Sequence, residues 1–148
     1  METTTTRTSR VPAPTTEEIL RSSLLAAQVL LAAVFCVFGA AKLTQPMPVL
    51  VQQFGWPGAV PQPIVQAIGV LELLGSLGLI LPALTRIRPE LTPLAALSFM
   101  NLMLVAGLYH LTQREISELP APLILGGLAA YVAIGRARGH RSCRGESR

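Results

Sequence analysis

Five polar residues sit inside otherwise apolar runs: Gln28, Lys42, Glu72, Asn101 and His110. Glu72 makes the strongest demand. In "IVQAIGVLELLGSLGLILP" it stands near the middle of a stretch long enough to cross a bilayer. A charge at the bilayer centre costs at least about 2.5–3.5 kcal/mol on insertion scales, so such a residue faces the interior of a bundle and takes a partner. Lys42 is the candidate partner. Together the two can hold a proton or hydrogen-bond a carbonyl oxygen of a ligand. Each residue also has a purely structural reading. Lys42 can snorkel to headgroups, His110 can sit at the interface, and Asn101 can clamp two helices. Gln28, near a span boundary, reads as incidental, and a Lys42–Glu72 staple weighs as much as a functional site.

Other chemistries lack their residues. Bis-histidine haem needs a second intramembrane histidine, and His140 lies in the C-terminal tail. Zinc takes three or four Cys, His or carboxylate ligands, so no metal site is expected. Cys36 lies in an apolar run and Cys143 in the tail, which gives neither a disulfide nor a thiol relay. No phosphate loop, dinucleotide fingerprint or serine nucleophile context occurs. No catalytic residue is therefore assigned, and the chain is expected to lack catalytic activity on its own. Any redox cofactor would come from a partner.

The elements that position these residues follow from composition. Of 148 residues, 51% are hydrophobic and 14% charged, about half the charged fraction of a soluble domain. Four segments approach the roughly 17–25 apolar residues of a membrane span: about 24–43, 64–81, 94–111 and 119–134. A signal peptide ending near Ala41 is disfavoured, because the apolar run starts late and three more follow. With four spans, ten of the twelve Lys and Arg residues fall on the side of the termini, leaving Lys42 and Arg114 opposite. Both termini are thus expected in the cytoplasm. The net charge of +4 reads as topology, not as nucleic-acid binding.

In the first outer loop, "PVLVQQFG" has a helix-starting proline and a helix-stopping glycine, which predicts a short interfacial helix. Trp56 and Tyr109 suit an aromatic belt. The expected whole is an all-α integral membrane four-helix bundle over residues 20–135. A disordered cytoplasmic tail over 1–19 precedes it and a basic cytoplasmic tail over 136–148 follows. With this topology Glu72 lies about eight residues, roughly 12 Å, below the outer boundary. Side chains lean towards their helix N-terminus, so Lys42 and His110 lean into the membrane and Glu72 leans out to meet them. Asn101 lies at a similar depth but nine residues before His110, on nearly the opposite helix face.

"FCVFGAAKL", with Phe35, Gly39, Lys42 and Leu43, followed by "GVLELLGSLGLILP", with Gly69, Glu72 and Gly75, resembles the DoxX-like family of small four-span bacterial membrane proteins. The likeness covers roughly residues 24–134. It implies a four-helix membrane protein of the bacterial inner membrane, with Lys42, Glu72 and His110 at recurring polar positions. It also implies association with redox complexes, or a role in assembling membrane partners. The resulting expectation is a non-catalytic subunit that binds quinone or a similar small amphipathic molecule in an outer-half pocket of Lys42, Glu72, Asn101 and His110. The bilayer and a membrane or soluble redox protein are the expected partners, with the oligomeric state open. The alternative is a chaperone or assembly factor in which the Lys–Glu pair is structural.

Overall fold

The computed structural model describes residues 15–85, 88 and 90–145. Helix α1 (Thr16–Thr44) begins at a reciprocal cap. The Thr15 hydroxyl accepts from the Glu18 N–H, and the Glu18 carboxylate accepts from the Thr15 N–H. This cap sets the start well before the apolar run and inside the segment expected as a disordered tail. That expectation fails for residues 16–19; residues 1–14 lie outside the described residues. Thr15→Ala should cost about 1 kcal/mol and should be seen as faster amide exchange confined to the first turn of α1.

Pro46 ends the α1 turn and caps α2 (Met47–Phe54), the short helix expected in the first interspan loop. Gly55, at φ 70°, turns the chain into a 3-10 segment, Trp56–Ala59; only a residue without a Cβ takes that conformation freely. Helix α3 (Gln62–Thr85) carries Pro82 in its interior. Helix α4 (Leu91–Thr112) leads through a second 3-10 segment, Ile116–Glu118, into α5 (Pro120–Gly145). Pro120 and Pro122 stand in the first turn of α5, where no N–H is missed. That helix runs past residue 134 through most of the expected basic tail. Apolarity marks the span; arginine, a good helix former, lets the helix continue beyond it.

The long helices form a ring in the order α1, α3, α4, α5, with α5 closing back on α1. Their common core holds Leu31, Phe35, Leu79, Ala96, Phe99, Ala129 and Val132. At its centre Phe35 and Phe99 stack with ring centroids 3.8 Å apart and planes 5° from parallel. Gly75 makes the room: a Cβ there would fall 2.6 Å from the Phe99 ring. Outward, the surface is aliphatic. Leu71, Leu104, Leu123 and Ile124 are each about two-thirds exposed, a continuous apolar exterior that soluble proteins avoid. Four helices are long and apolar enough to cross a membrane: Thr16–Thr44, Gln62–Thr85, Leu91–Thr112 and the segment Ile116–Arg138.

Candidate functional site

The site begins with two glycines. Gly39 of α1 faces Gly69 of α3 so closely that a Cβ on either would fall 2.7–2.9 Å from the other's carbonyl oxygen. Small residues at a membrane helix crossing allow this approach. Lys42 and Glu72 each lie three residues after one of these glycines, hence on the same helix face. Because α1 and α3 run in opposite directions, each charged residue sits over the other helix's glycine. The Lys42 Cβ packs on Gly69 and the Glu72 Cβ on Gly39, with Leu43 also closing over Gly69. The paired motif is thus one interlocked contact. Phe35 and Gly75 of the motif support it from the core.

At the top of this contact Lys42 Nζ donates to both Glu72 oxygens, at 2.8 and 2.7 Å. Lys42 is 4% exposed and Glu72 2%. The ammonium is also surrounded by π faces, with the ring centroids of Phe38, Phe54 and Trp56 at 5.6, 5.0 and 5.9 Å. Such desolvated cation–π contacts are worth up to about 2 kcal/mol each. Phe38 meets Phe54 edge-on, which ties α2 to the bundle. Sequence reading expected the Lys42–Glu72 pair; it did not find this aromatic cage.

The pair forms part of the wall of a cavity of about 440 Å³ at the end of the bundle nearer α2. Its lining otherwise comes mainly from aromatic and aliphatic groups, among them Phe54, Trp56, Ile68, Met103, Ala106, Tyr109 and Leu125. His110 lies on the same wall, 8% exposed, but its partner is not Glu72. His110 Nδ1 lies 2.8 Å from Glu115 Oε2. The α4 terminus explains this. Arg114 takes φ 60°, the Glu115 N–H donates to the His110 carbonyl and the Arg114 N–H to Leu111. This is the Schellman arrangement. Glycine usually marks that turn in a sequence, and arginine stands here instead, which hid Glu115 from sequence reading.

Asn101 is not in this cavity. It is exposed, and its amide donates to the Leu97 carbonyl one turn back, at 3.1 Å. It lines a shallower groove between α3 and α4, with Gly75, Gly78 and Ser98. The expected four-residue cluster is therefore Lys42, Glu72 and His110, with Asn101 elsewhere. The helix stays regular between Asn101 and His110, so nine residues put them on different faces.

Gln28 is the other correction, because it is not incidental. It is 1% exposed and spans three helices. Its amide donates to the Leu79 carbonyl of α3, while its oxygen accepts from Arg136 Nε of α5 at 2.9 Å. Leu79 stands next to Gly78, whose carbonyl is the one that Pro82 leaves without its helical N–H. Gln28 thus braces α3 beside its internal proline.

The model of the DoxX-like family matches residues 26–132, most of the chain and all of this site. No curated protein and no solved structure matches.

Proposed function

The chain belongs to the DoxX-like family, and we propose that it is a non-catalytic membrane subunit of a redox or quinone-linked system. In this reading a small amphipathic molecule, a quinone by preference, occupies the cavity bounded by Lys42, Glu72 and His110. The observation that carries it is a buried ion pair set into a wall of aromatic and aliphatic groups. A volume of about 440 Å³ lies within the range of small-molecule pockets, which are mostly apolar with a few placed polar groups. An ammonium has three donors, and two of those on Lys42 are taken by Glu72. The third is available for a carbonyl oxygen, with His110 as a second polar contact. Electrons would come from a partner protein.

The same proposal orients the molecule in a cell membrane. Ten Lys and Arg residues on the side of the termini against two opposite favour cytoplasmic termini. The cavity then opens in the outer half, and α2, which carries no charge, lies at the outer interface.

A second reading has its own support. The two-pronged geometry of the Lys42–Glu72 pair over the glycine crossing suits a staple in an assembly factor. Thermal melting with a quinone analogue separates the two. At one hundred times its dissociation constant a ligand adds about 2.7 kcal/mol, a shift of several degrees in a domain of this size. The ligand reading expects that shift in the wild type and its disappearance in Ala106→Trp, which fills the cavity. A wild type without a shift would favour the assembly factor.

A further inference from the structure

At the opposite end of the bundle, beside the N-terminus of α1, Arg136 has an arrangement that the cavity does not use. Its Nε is held by the Gln28 oxygen, and Gln28 is itself fixed on the Leu79 carbonyl. Close packing of Leu24 on Gly135, where a Cβ would collide with the leucine side chain, brings α5 against α1 at this level. A hydrogen bond of 2.7 Å between Ser23 and Tyr131 fastens the same seam. The guanidinium is thus oriented through one nitrogen while its two terminal nitrogens carry no protein acceptor among the described residues. They are not sealed in, since no buried side-chain nitrogen or oxygen lacks a partner there.

No carboxylate of the described residues pairs with Arg136, and the ion pairs of Lys42 with Glu72 and of His110 with Glu115 lie at the far end. Arg21 of α1 precedes Leu24 and Gln28 by three and seven residues and so shares the helix face that meets α5, and its charge acts on Arg136. Two arginines on one seam, one of them presenting a fixed fork, match the two-oxygen face of a phosphate.

We propose that Arg136, oriented by Gln28, forms with Arg21 a binding site for the phosphodiester of an anionic phospholipid. A lipid is favoured over a soluble phosphate because the fork sits where a membrane-length apolar segment ends, at Ile116–Arg138, the depth of headgroups. A headgroup with its own cation, such as choline, is disfavoured by Arg21. Gln28 acts as a positioning residue, by holding Nε and so aiming the terminal nitrogens.

The test is thermal melting of the full-length protein in mixed micelles with phosphatidylglycerol or phosphatidylcholine at equal mole fraction. The wild type should melt several degrees higher with phosphatidylglycerol. Arg136→Gln should abolish the difference. Arg136→Lys, which keeps the charge without the fork, and Gln28→Leu, which leaves every charge in place, should each lose most of it. Arg88→Gln, removing an exposed arginine at the same end, should keep it. Circular dichroism identifies any variant that fails to fold, and Arg136→Lys then serves as the deciding variant. Equal melting in both lipids, or an equal loss in Arg88→Gln, would overturn the site. Equal stabilisation by inorganic phosphate alone would overturn its assignment to a lipid.

Discussion

Lys42→Met should be among the most destabilising single substitutions in the protein, lowering stability by about 3–5 kcal/mol. The size follows from what is left behind. Glu72 is 2% exposed and receives both of its side-chain hydrogen bonds from Lys42. Removing the ammonium leaves two nearly buried carboxylate oxygens without their hydrogen bonds, and also empties the aromatic cage of Phe38, Phe54 and Trp56. The double variant Lys42→Met with Glu72→Met should recover most of the loss, because an apolar pair of similar volume avoids the desolvation that an ion pair suffers. Melting of the two variants beside the wild type decides the matter. A single variant as stable as the wild type would mean that the pair does not stabilise the bundle.

The glycine crossing yields the second large effect, and here the sign is informative. On helix propensity alone, Gly→Ala inside a helix stabilises by roughly 0.5–1 kcal/mol. Gly127→Ala should follow that rule, since a Cβ there meets nothing within 4 Å. Gly39→Ala should do the opposite and destabilise by about 1–3 kcal/mol, the usual penalty of overpacking. The obstacle is the Gly69 carbonyl oxygen at 2.7 Å, a backbone atom that cannot rotate away. Relief requires α1 and α3 to separate, which also draws Lys42 from Glu72. Paired thermal midpoints of the two alanine variants test this. If Gly39→Ala and Gly127→Ala shift alike, the crossing is looser than described.

The sequence made the architecture legible because its signals are strong and local. Four apolar runs, prolines at helix starts and a proline–glycine pair around α2 all sit where the helices begin or end. The Lys42–Glu72 contact was legible too, because spacing, depth and side-chain lean agreed. What escaped depends on geometry that spacing does not carry. Glu115 reaches His110 only through a left-handed turn at Arg114, with none of the usual glycine to announce it. Gln28 seemed peripheral on hydropathy, yet the opposed lean of side chains on antiparallel α1 and α5 brings Arg136 back to it. Asn101, by contrast, turns away from the cavity as its nine-residue spacing from His110 on a straight helix already implied. The helix ends at Thr16 and Gly145 follow capping and backbone propensity, whereas the expected limits followed apolarity.

The central proposal is that the cavity binds an amphipathic ligand through its buried ion pair. The most direct measurement is the equilibrium affinity of a quinone analogue for the wild type and for Lys42→Met with Glu72→Met. That double variant keeps the apolar walls and is expected to fold, so only the polar contacts differ. Loss of one charge-assisted hydrogen bond to the ligand, worth about 1.5–3 kcal/mol, predicts at least a tenfold weaker affinity. Binding of unchanged strength in the double variant would contradict the account and leave Lys42 and Glu72 as a staple between α1 and α3.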